Sequence, residues 1–266
     1  MVQDNKKFRI SLDMAEYLKV SHLTVPSKKL LLALIYLQYL EEEEWPRVEV
    51  SEVGTKGVFL RKTTEKHFCY VAHLRSMGLA PNSKGSSFLE KPINELLKYV
   101  ELFDDLSLTT GRNSYVSWKF GIYPAALMSD IHIYALIESG DIAHCNSDLD
   151  VVLLTQIARC YKMQFPSFPL FSIDPKACWT HEQKVPPIPS DKRAFVTKLR
   201  RALQKWANLK SCRLVAELAQ SGCRPGITSV NIKISHDETR WSDDQLRKFH
   251  PRSTIIDVGP KTTVGF

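Results

Sequence analysis

Hydrophobic residues recur at helical spacing in two long segments of the chain. In Lys28–Glu42 they form a broad stripe, and in 192–207 they leave the rest of the helix surface polar. The inward residues expected in the second segment are Phe195, Leu199, Ala202, Leu203 and Trp206. Positions three or four residues apart share a helix face. The pattern therefore predicts two amphipathic helices, with Lys198, Arg201 and Lys205 on a face of the second one away from its apolar stripe.

Shorter patterns predict the other elements of the first half. We expect residues 1–25 to be largely irregular. The predicted elements are a strand at Phe8–Leu12, the helix Lys28–Glu42, a strand at Val48–Val53, a helix at Thr63–Ser76 stopped by Gly78, a helix at Ser87–Tyr99 or from Lys91 onward, and a β-hairpin of Leu102–Thr109 with Ser114–Phe120. Helix, helix, turn, helix and hairpin is the order of a winged helix-turn-helix domain, although other small α+β domains also have it.

The second half is predicted to repeat this plan without a visible sequence repeat. The predicted elements are a helix at Leu149–Tyr161, an irregular proline-rich stretch at Phe165–Pro189, the basic helix, a short helix at Cys212–Gln220, a strand at Ile227–Ser235 and a returning strand at Ser253–Val258. Ile131–Gly140 is expected to be a helical link. The expected fold class is α+β, with two winged helix-turn-helix domains in tandem. The first spans 1–130 with an N-terminal arm, and the second spans 131–266 with the basic helix.

The charge of the chain favours a polyanionic partner. Among 266 residues, 36 Lys or Arg oppose 29 Asp or Glu, for a net charge of +7. Eight of the cations lie in Asp191–Arg213 beside a single acidic residue. A helix with one apolar face and one cationic face suits a nucleic acid, whereas a merely solvated helix surface can have the same composition.

Other sequence features favour a cytoplasmic protein. The longest apolar segment, Leu30–Leu40, is interrupted by Gln38 and is shorter than the roughly 20 residues of a membrane span. The first residues contain no apolar signal core. We therefore expect no membrane partner, and we expect the six cysteines to be thiols.

Catalytic and metal-binding patterns are weak. Asp174 with Glu182 and Lys184 has the composition of a metal-dependent nuclease site, but prolines around it disfavour strand pairing. His67, Cys69 and His73, or Cys178 with His181, could be zinc ligands, yet neither set has a second ligand pair at finger-like spacing. The chain contains no phosphate-binding glycine loop. We expect a protein that is not an enzyme and has no metal or other cofactor.

Three passages of the chain resemble a known family. They are FLEKPINELLKYVELFDDLSLTTGRNSYVSWKF, IHIYALIES with the following SDLDVVLLTQIARCYK, and DKRAFVTKLRRALQKWANLKSCR ahead of VNIKIS. Together they resemble the iteron-binding plasmid replication initiators, in which the first unit ends in a wing and a basic helix precedes the last strands of the second. The resemblance covers residues 28–235. The chain departs from the family in VVLLTQIARCYK, which lacks the family's Tyr-Glu pair.

The resemblance implies sequence-specific binding of double-stranded DNA at a replication origin. Residues implied to face the major groove are Lys198, Arg201 and Lys205, where an arginine can read guanine. Residues implied to contact phosphate are Lys192, Arg193, Arg200, Lys210 and Arg213. In the first unit, Lys84, Ser86, Ser87 and Lys91 would lie at a helix start, and Arg112 would tip the wing. The implied partners are duplex DNA, a second copy of the chain as a homodimer, and host replication proteins.

Two other functions fit the same architecture. One is a winged-helix interaction subunit of a bacterial chromosome-organising complex, which holds protein partners. The other is a transcriptional repressor. An interaction subunit would more often carry exposed apolar stripes where this chain has cations, so the segment 192–213 favours DNA.

Overall fold

The chain has an α+β fold with two compact units, which confirms the expected fold class at that level. The first unit is Met1–Ala158 and the second is Arg159–Phe266. The computed structural model describes residues 6–42, 50–52, 58–60, 66–121, 124, 134–172, 192–219 and 227–261. None of the helices in these ranges is long and apolar enough to cross a membrane.

The division between the units differs from the boundary expected after residue 130. The strand Tyr134–Glu138 pairs antiparallel with Lys7–Ser11, so both strands belong to the first unit. The predicted helical link Ile131–Gly140 is therefore wrong over residues 134–138, where buried and more exposed side chains alternate with the period of a strand. A short 3-10 helix, Ser139–His144, follows this strand.

The first unit contains short runs of strands and helices along the chain. In chain order they are β1 (Lys7–Ser11), α1 (Leu12–Val20), α2 (Val25–Glu42), β2 (Val50–Glu52), β3 (Val58–Leu60), β4 (His67–Tyr70), α3 (Val71–Ser76), α4 (Glu90–Leu96), β5 (Phe103–Thr109), β6 (Tyr115–Phe120), β7 (Tyr134–Glu138) and α5 (Asp148–Cys160). A 3-10 turn, Ser87–Leu89, leads into α4. Strand β1 pairs with β7, β2 pairs with β3, and a three-stranded antiparallel sheet has the order β4-β6-β5.

The strongest patterns in the first half are confirmed. The helix expected at Lys28–Glu42 is α2, and the predicted hairpin is formed by β5 and β6. Strands β1 and β2 lie within or beside the expected segments Phe8–Leu12 and Val48–Val53. The helix expected at Ser87–Tyr99 is helical over residues 87–96, with Pro92 in its first turns.

Two predictions for the first half are wrong. Residues 67–70 form strand β4 rather than part of a helix, because they alternate between buried and exposed positions. Among the described residues of the predicted helix Thr63–Ser76, only Val71–Ser76 is helical, and residues 63–65 lie outside the described ranges. Residues 1–25, which were expected to be largely irregular, contain helix α1. Ser11 begins α1 by accepting a hydrogen bond from the Met14 backbone N–H at 3.1 Å, a normal helix cap.

Helix α2 is the buried centre of the first unit. Its residues from Leu30 to Ile35 have no exposed surface. Its polar residues reach separate parts of the unit: Lys28 Nζ lies 3.0 Å from Asp148 Oδ1, and Trp118 Nε1 donates to Gln38 Oε1 at 3.3 Å. At its N-terminus, Glu95 of α4 accepts hydrogen bonds from Thr24 and Ser27. These hydrogen bonds lower the pKa of Glu95, although its partial burial opposes them.

Gly78 ends helix α3, as its position in the sequence predicts. Its φ of +81° is in the left-handed region that glycine adopts without strain. A Cβ at this position would lie 2.3 Å from the Cβ of Ala143. The Gly78 carbonyl also accepts a hydrogen bond from Lys29 Nζ at 3.1 Å. Gly78 is therefore required both by backbone conformation and by close packing.

The second unit is a sheet with a long helix packed against it. Its elements are β8 (Ser167–Ser172), α6 (Lys192–Lys210), β9 (Arg213–Ala219), β10 (Ser229–Ser235), α7 (Asp243–Arg247) and β11 (Thr254–Val258). The four strands form an antiparallel sheet in the order β11-β9-β10-β8. Helix α6 packs against β9 and β11.

The order of elements expected in the second unit is wrong. Cys212–Gln220 was expected to be a helix, but Arg213–Ala219 is a strand that pairs with two neighbours. The strand near Ser253–Val258 exists, yet it pairs with β9 rather than returning beside β10. The stretch Phe165–Pro189, which was expected to be irregular, contains strand β8 near its start. The unit is thus not built as helix, helix, strand, strand.

The core face of α6 matches the expected residues. Leu199, Leu203 and Trp206 have no exposed surface, Ala202 is buried, and Phe195 is half-buried. The matching side of the sheet is apolar because Leu214, Ala216 and Leu218 lie in register with buried residues of β10 and β11. Burial of a large aromatic ring in this layer is worth several kcal/mol.

The described cysteines are buried thiols. Cys69 and Cys145 lie in the first unit; Cys160, at the end of α5 just past the division between the units, and Cys212 lie in the second. Burial raises the pKa of Cys212 to about 12, since the thiolate is poorly solvated there. Cys178 and Cys223 lie outside the described residues.

Replacement of Trp206 by alanine is expected to destabilise the second unit by about 3–5 kcal/mol, because a cavity would remain in the layer between helix and sheet. Leu209→Ala is the matched control on the same helix, since Leu209 is partly exposed. It should cost less than about 1 kcal/mol. Urea unfolding, monitored by circular dichroism, measures the unfolding free energy of each variant. Equal losses of stability in the two variants would show that the assigned helix faces are wrong.

Gly78→Ala is expected to destabilise the first unit more than Gly85→Ala. Both glycines have positive φ, so each alanine is strained by about 1–2 kcal/mol. Only at Gly78 does the new methyl group also collide with Ala143, whereas no atom lies within 4 Å at Gly85. Overpacking of this kind adds about 1–3 kcal/mol. Matched urea denaturation curves test the difference, and two equal values would contradict it.

Candidate nucleic-acid interface

Helix α6 presents a cationic surface opposite its core face. The helix contains seven Lys or Arg and no Asp or Glu. Lys198 and Arg201 are exposed and Lys205 is half-buried, and this spacing places the three on one side. Arg201 lies about half a turn round the helix from buried Leu199 and Leu203. Hereafter Lys198, Arg201 and Lys205 are called the cationic face.

The cations of α6 differ in their engagement with the rest of the unit. Within the described residues, Lys198, Arg200 and Arg201 make no hydrogen bond or ion pair with their side chains. Lys205 Nζ lies 6.0 Å from the centre of the Trp206 ring, and Arg193 and Lys210 also have partners. Lys192 begins the helix. Unpaired cations on a helix surface are available for an external anion.

One side of α6 is covered by the chain that follows β11. Gln204 Nε2 donates to the Gly259 carbonyl at 2.7 Å and to Asn208 Oδ1 at 3.1 Å. The Lys261 backbone N–H donates to the same Asn208 oxygen at 3.0 Å. Gln204 and Asn208 follow Arg201 by three and seven residues, so this contact covers part of the same side of the helix, while Lys198 and Arg201 themselves are exposed.

Arg213, expected to contact phosphate, is held by two carboxylates of its own unit. Its guanidinium makes two hydrogen bonds to Asp257, of 2.8 and 2.6 Å, and one of 3.1 Å to Asp243. The hydrogen bonds from Arg213 hold the pKa of Asp257 below its ordinary value. Arg213 thus links β9 to β11 and α7, and its charge is already neutralised.

In the first unit, the predicted residues near the third helix lie at the surface. Lys84, Ser87 and Lys91 are exposed, and Ser86 is half-buried. Residue Ser86 precedes the 3-10 turn without making a side-chain cap. These residues follow the polar turn that contains Gly85, as the sequence predicts.

The structure brings this turn close to the hairpin tip. A cleft of about 260 Å³ is lined by residues of α3, of the turn and of the hairpin, among them Tyr70, Arg75, Gly85 and Arg112. Arg75 donates to the Gly85 carbonyl at 2.6 Å, whereas Arg112 makes no side-chain contact of this kind in the described part of the chain. We call this the arginine cleft. Arg75 was missed by sequence reasoning; its position just before a helix-ending glycine and a polar turn was the available signal.

Two of the candidate metal ligands lie on a strand, where the sequence predicted a helix. His67 and Cys69 lie on strand β4, where residues two apart share a side, and both are buried. The His67 ring stacks on Trp118 with ring centres 5.6 Å apart. Across the described residues, no group of three or more His, Cys, Asp or Glu could hold a metal ion. The candidate nuclease residues Asp174, Glu182 and Lys184, and the pair Cys178 and His181, lie outside the described residues.

No protein-family model matches the chain, and no curated protein matches it. In the second unit the cationic face is open and unpaired apart from Lys205, and Arg213 is neutralised. In the first unit the expected wing residue Arg112 lies in a cleft with a second arginine.

The stability contributed by Asp257 is expected to depend on pH. Because its folded pKa is lowered, this contribution is present above the ordinary aspartate pKa of about 4 and is lost as the pH falls through the lower folded value. The gap in unfolding free energy between the natural protein and Asp257→Asn should therefore shrink below about pH 4.

Urea unfolding over a pH series measures this gap. Asp244→Asn is the control, since Asp244 is exposed on α7 and makes no ion pair in the described structure. The difference in unfolding free energy between the natural protein and Asp244→Asn should stay small at each pH. A gap for Asp257→Asn that persists undiminished in acid would contradict the ion-pair interpretation.

Proposed function

We propose that the protein binds double-stranded DNA sequence-specifically through the cationic face of α6, as a plasmid replication initiator that binds repeated sites at an origin. The observation that carries the proposal is a helix of 19 residues with seven cations, no acid and a buried core face. An α-helix is about as wide as the major groove of B-DNA, roughly 12 Å. Arg201 would read a base edge, while Lys198, Arg200 and Arg193 would hold phosphates.

The order of elements in the first unit supports this proposal. Helix α2 and the short strands β2 and β3 are followed by β4, α3, α4 and the hairpin β5–β6, and the sheet order is β4-β6-β5. A winged helix-turn-helix domain has this order, with α4 as its third helix and the hairpin as its wing. Arg112 at the hairpin tip would then reach phosphate or a minor groove. The second unit has a different fold from this one, in which the basic helix α6 packs against a sheet. It would present α6 to DNA from that sheet.

The alternative of a protein-interaction subunit has less support. The described residues of α6 include one exposed large apolar side chain, Leu209, which follows Lys205 by four residues and so lies on the same side of the helix. A protein partner would be expected to meet an apolar patch there. A transcriptional repressor would use the same surface as an initiator, so the two differ in the sites bound rather than in the contacts.

Duplex binding is expected to weaken linearly with the logarithm of salt concentration, with a slope of about −0.9 for each phosphate contacted. Lys198→Ala should reduce the magnitude of this slope by about one contact. Arg252→Ala removes an exposed cation elsewhere in the same unit and should leave the slope unchanged. Fluorescence anisotropy of a labelled duplex measures the DNA affinity of the natural protein and of both variants over a series of salt concentrations. A flat salt dependence in the natural protein would overturn the proposal.

Arg201→Ala separates sequence reading from backbone contact. Preferred duplexes would first be selected from a randomised pool with the natural protein. Loss of Arg201 should weaken binding to the selected site by about 1–3 kcal/mol and binding to a scrambled duplex very little. Arg112→Ala should weaken both by similar amounts. If Arg201→Ala weakens both duplexes equally, the helix contacts only the DNA backbone and the sequence-specific function is wrong.

A further inference from the structure

The outer side of the sheet β4-β6-β5 exposes aromatic rings. Phe68 and Tyr70 alternate with buried residues along β4 and are 62% and 56% exposed. Tyr115 of β6 lies directly opposite Tyr70 in the strand register. Tyr115 is half-buried. Two exposed rings on one short strand are unusual, because a protein normally buries such surface. We call Phe68, Tyr70 and Tyr115 the aromatic face.

The three rings surround a shallow pocket with a small polar floor. Phe68 lies edge-on to both tyrosines, with ring centres 6.5 Å apart in each pair. Opposite Phe68 in register is Ser117, whose hydroxyl is hydrogen-bonded to that of Ser107 at 2.9 Å. Because serine is small, a space of about 440 Å³ remains above it. A flat ring could enter this space and stack on an aromatic side chain.

Positive charge surrounds the aromatic face. Tyr70 lines both this pocket and the arginine cleft, so the two are neighbours. Together they are lined by Lys66, Arg75 and Arg112 and by no Asp or Glu among the described residues. Lys66 is paired with Asp105 at 2.5 Å, whereas Arg112 has no such partner in the described structure. An occupant of this surface should therefore combine planar rings with negative charge.

We propose that the aromatic face and the arginine cleft bind single-stranded nucleic acid. Unpaired bases stack on Phe68 and Tyr115, and the backbone phosphates lie against Arg112 and Arg75. Bases within a duplex stack on each other and offer no free ring face, so this surface selects unpaired strands. Stacking of bases on aromatic side chains tolerates any sequence. The site lies in the first unit; it shares Arg112 with the duplex contacts proposed above and does not depend on the cationic face of α6.

The decisive probes are a labelled oligothymidylate and an abasic strand of the same length and charge. The natural protein should bind the thymidylate much more tightly than the abasic strand, because only the former has bases to stack. Phe68→Leu keeps an apolar side chain but removes the ring. It should weaken thymidylate binding roughly 5- to 150-fold and leave the abasic strand unchanged. Phe68→Tyr restores a ring and should restore binding.

Matched controls separate this site from the duplex site. Val100→Ala alters an exposed apolar residue elsewhere in the unit and should change nothing. Arg201→Ala should impair duplex binding and spare the strand, and Phe68→Leu should do the reverse. An oligouridylate shows whether RNA binds as well as DNA, and thermal unfolding checks that each variant is folded.

Two results would overturn the proposal. One is equal binding of thymidylate and abasic strands by the natural protein. The other is a change from dimer to monomer in Phe68→Leu, measured by light scattering, without any effect on strand binding. The aromatic face would then be a contact between two copies of the chain.

Discussion

The buried charges of helix α2 constrain the whole first unit. Lys28 is 3% exposed at its side chain, and Lys29 is also buried, so each ammonium group needs partners in the interior. Lys29 donates to the carbonyls of Gly78 and Ala143, and Lys28 pairs with Asp148. These contacts hold the end of α3, the 3-10 helix and the start of α5 around one helix. The sheet that carries the aromatic face is tied to the same helix through Gln38 and Trp118.

The second unit shows how the surroundings of a cation decide what it can do. Arg213 is bound by two carboxylates and links three elements, whereas Arg201 has no partner in the described structure. Both arginines lie within one basic stretch of sequence, and the sequence pattern does not distinguish the paired arginine from the unpaired one. An ion pair with a half-exposed carboxylate contributes modest stability and removes the attraction for a distant anion. The distinction rests on Asp243 and Asp257, which lie 30 and 44 residues further along the chain.

Sequence patterns predicted the long elements and misjudged the short ones. Helices α2 and α6 were predictable because many turns repeat the same apolar spacing, and the hairpin because glycine and asparagine mark its turn. Strand β9 reads LVAELA in part, which is typical of a helix, yet it lies between two strands whose pairing overrides local preference. Strand β4 has only four residues. The cationic face was found from spacing, but the arginine cleft joins segments that only the fold brings together.

The buried cysteines make each unit a reporter of its own opening. A thiol reagent can reach Cys69 and Cys145 only when the first unit opens, and Cys160 and Cys212 only when the second does. The rate of modification at each sulfur therefore measures the free energy of local unfolding around it, as hydrogen exchange does for backbone amides. Such rates would show whether a bound nucleic acid protects one unit or both, without any change to the sequence of the protein.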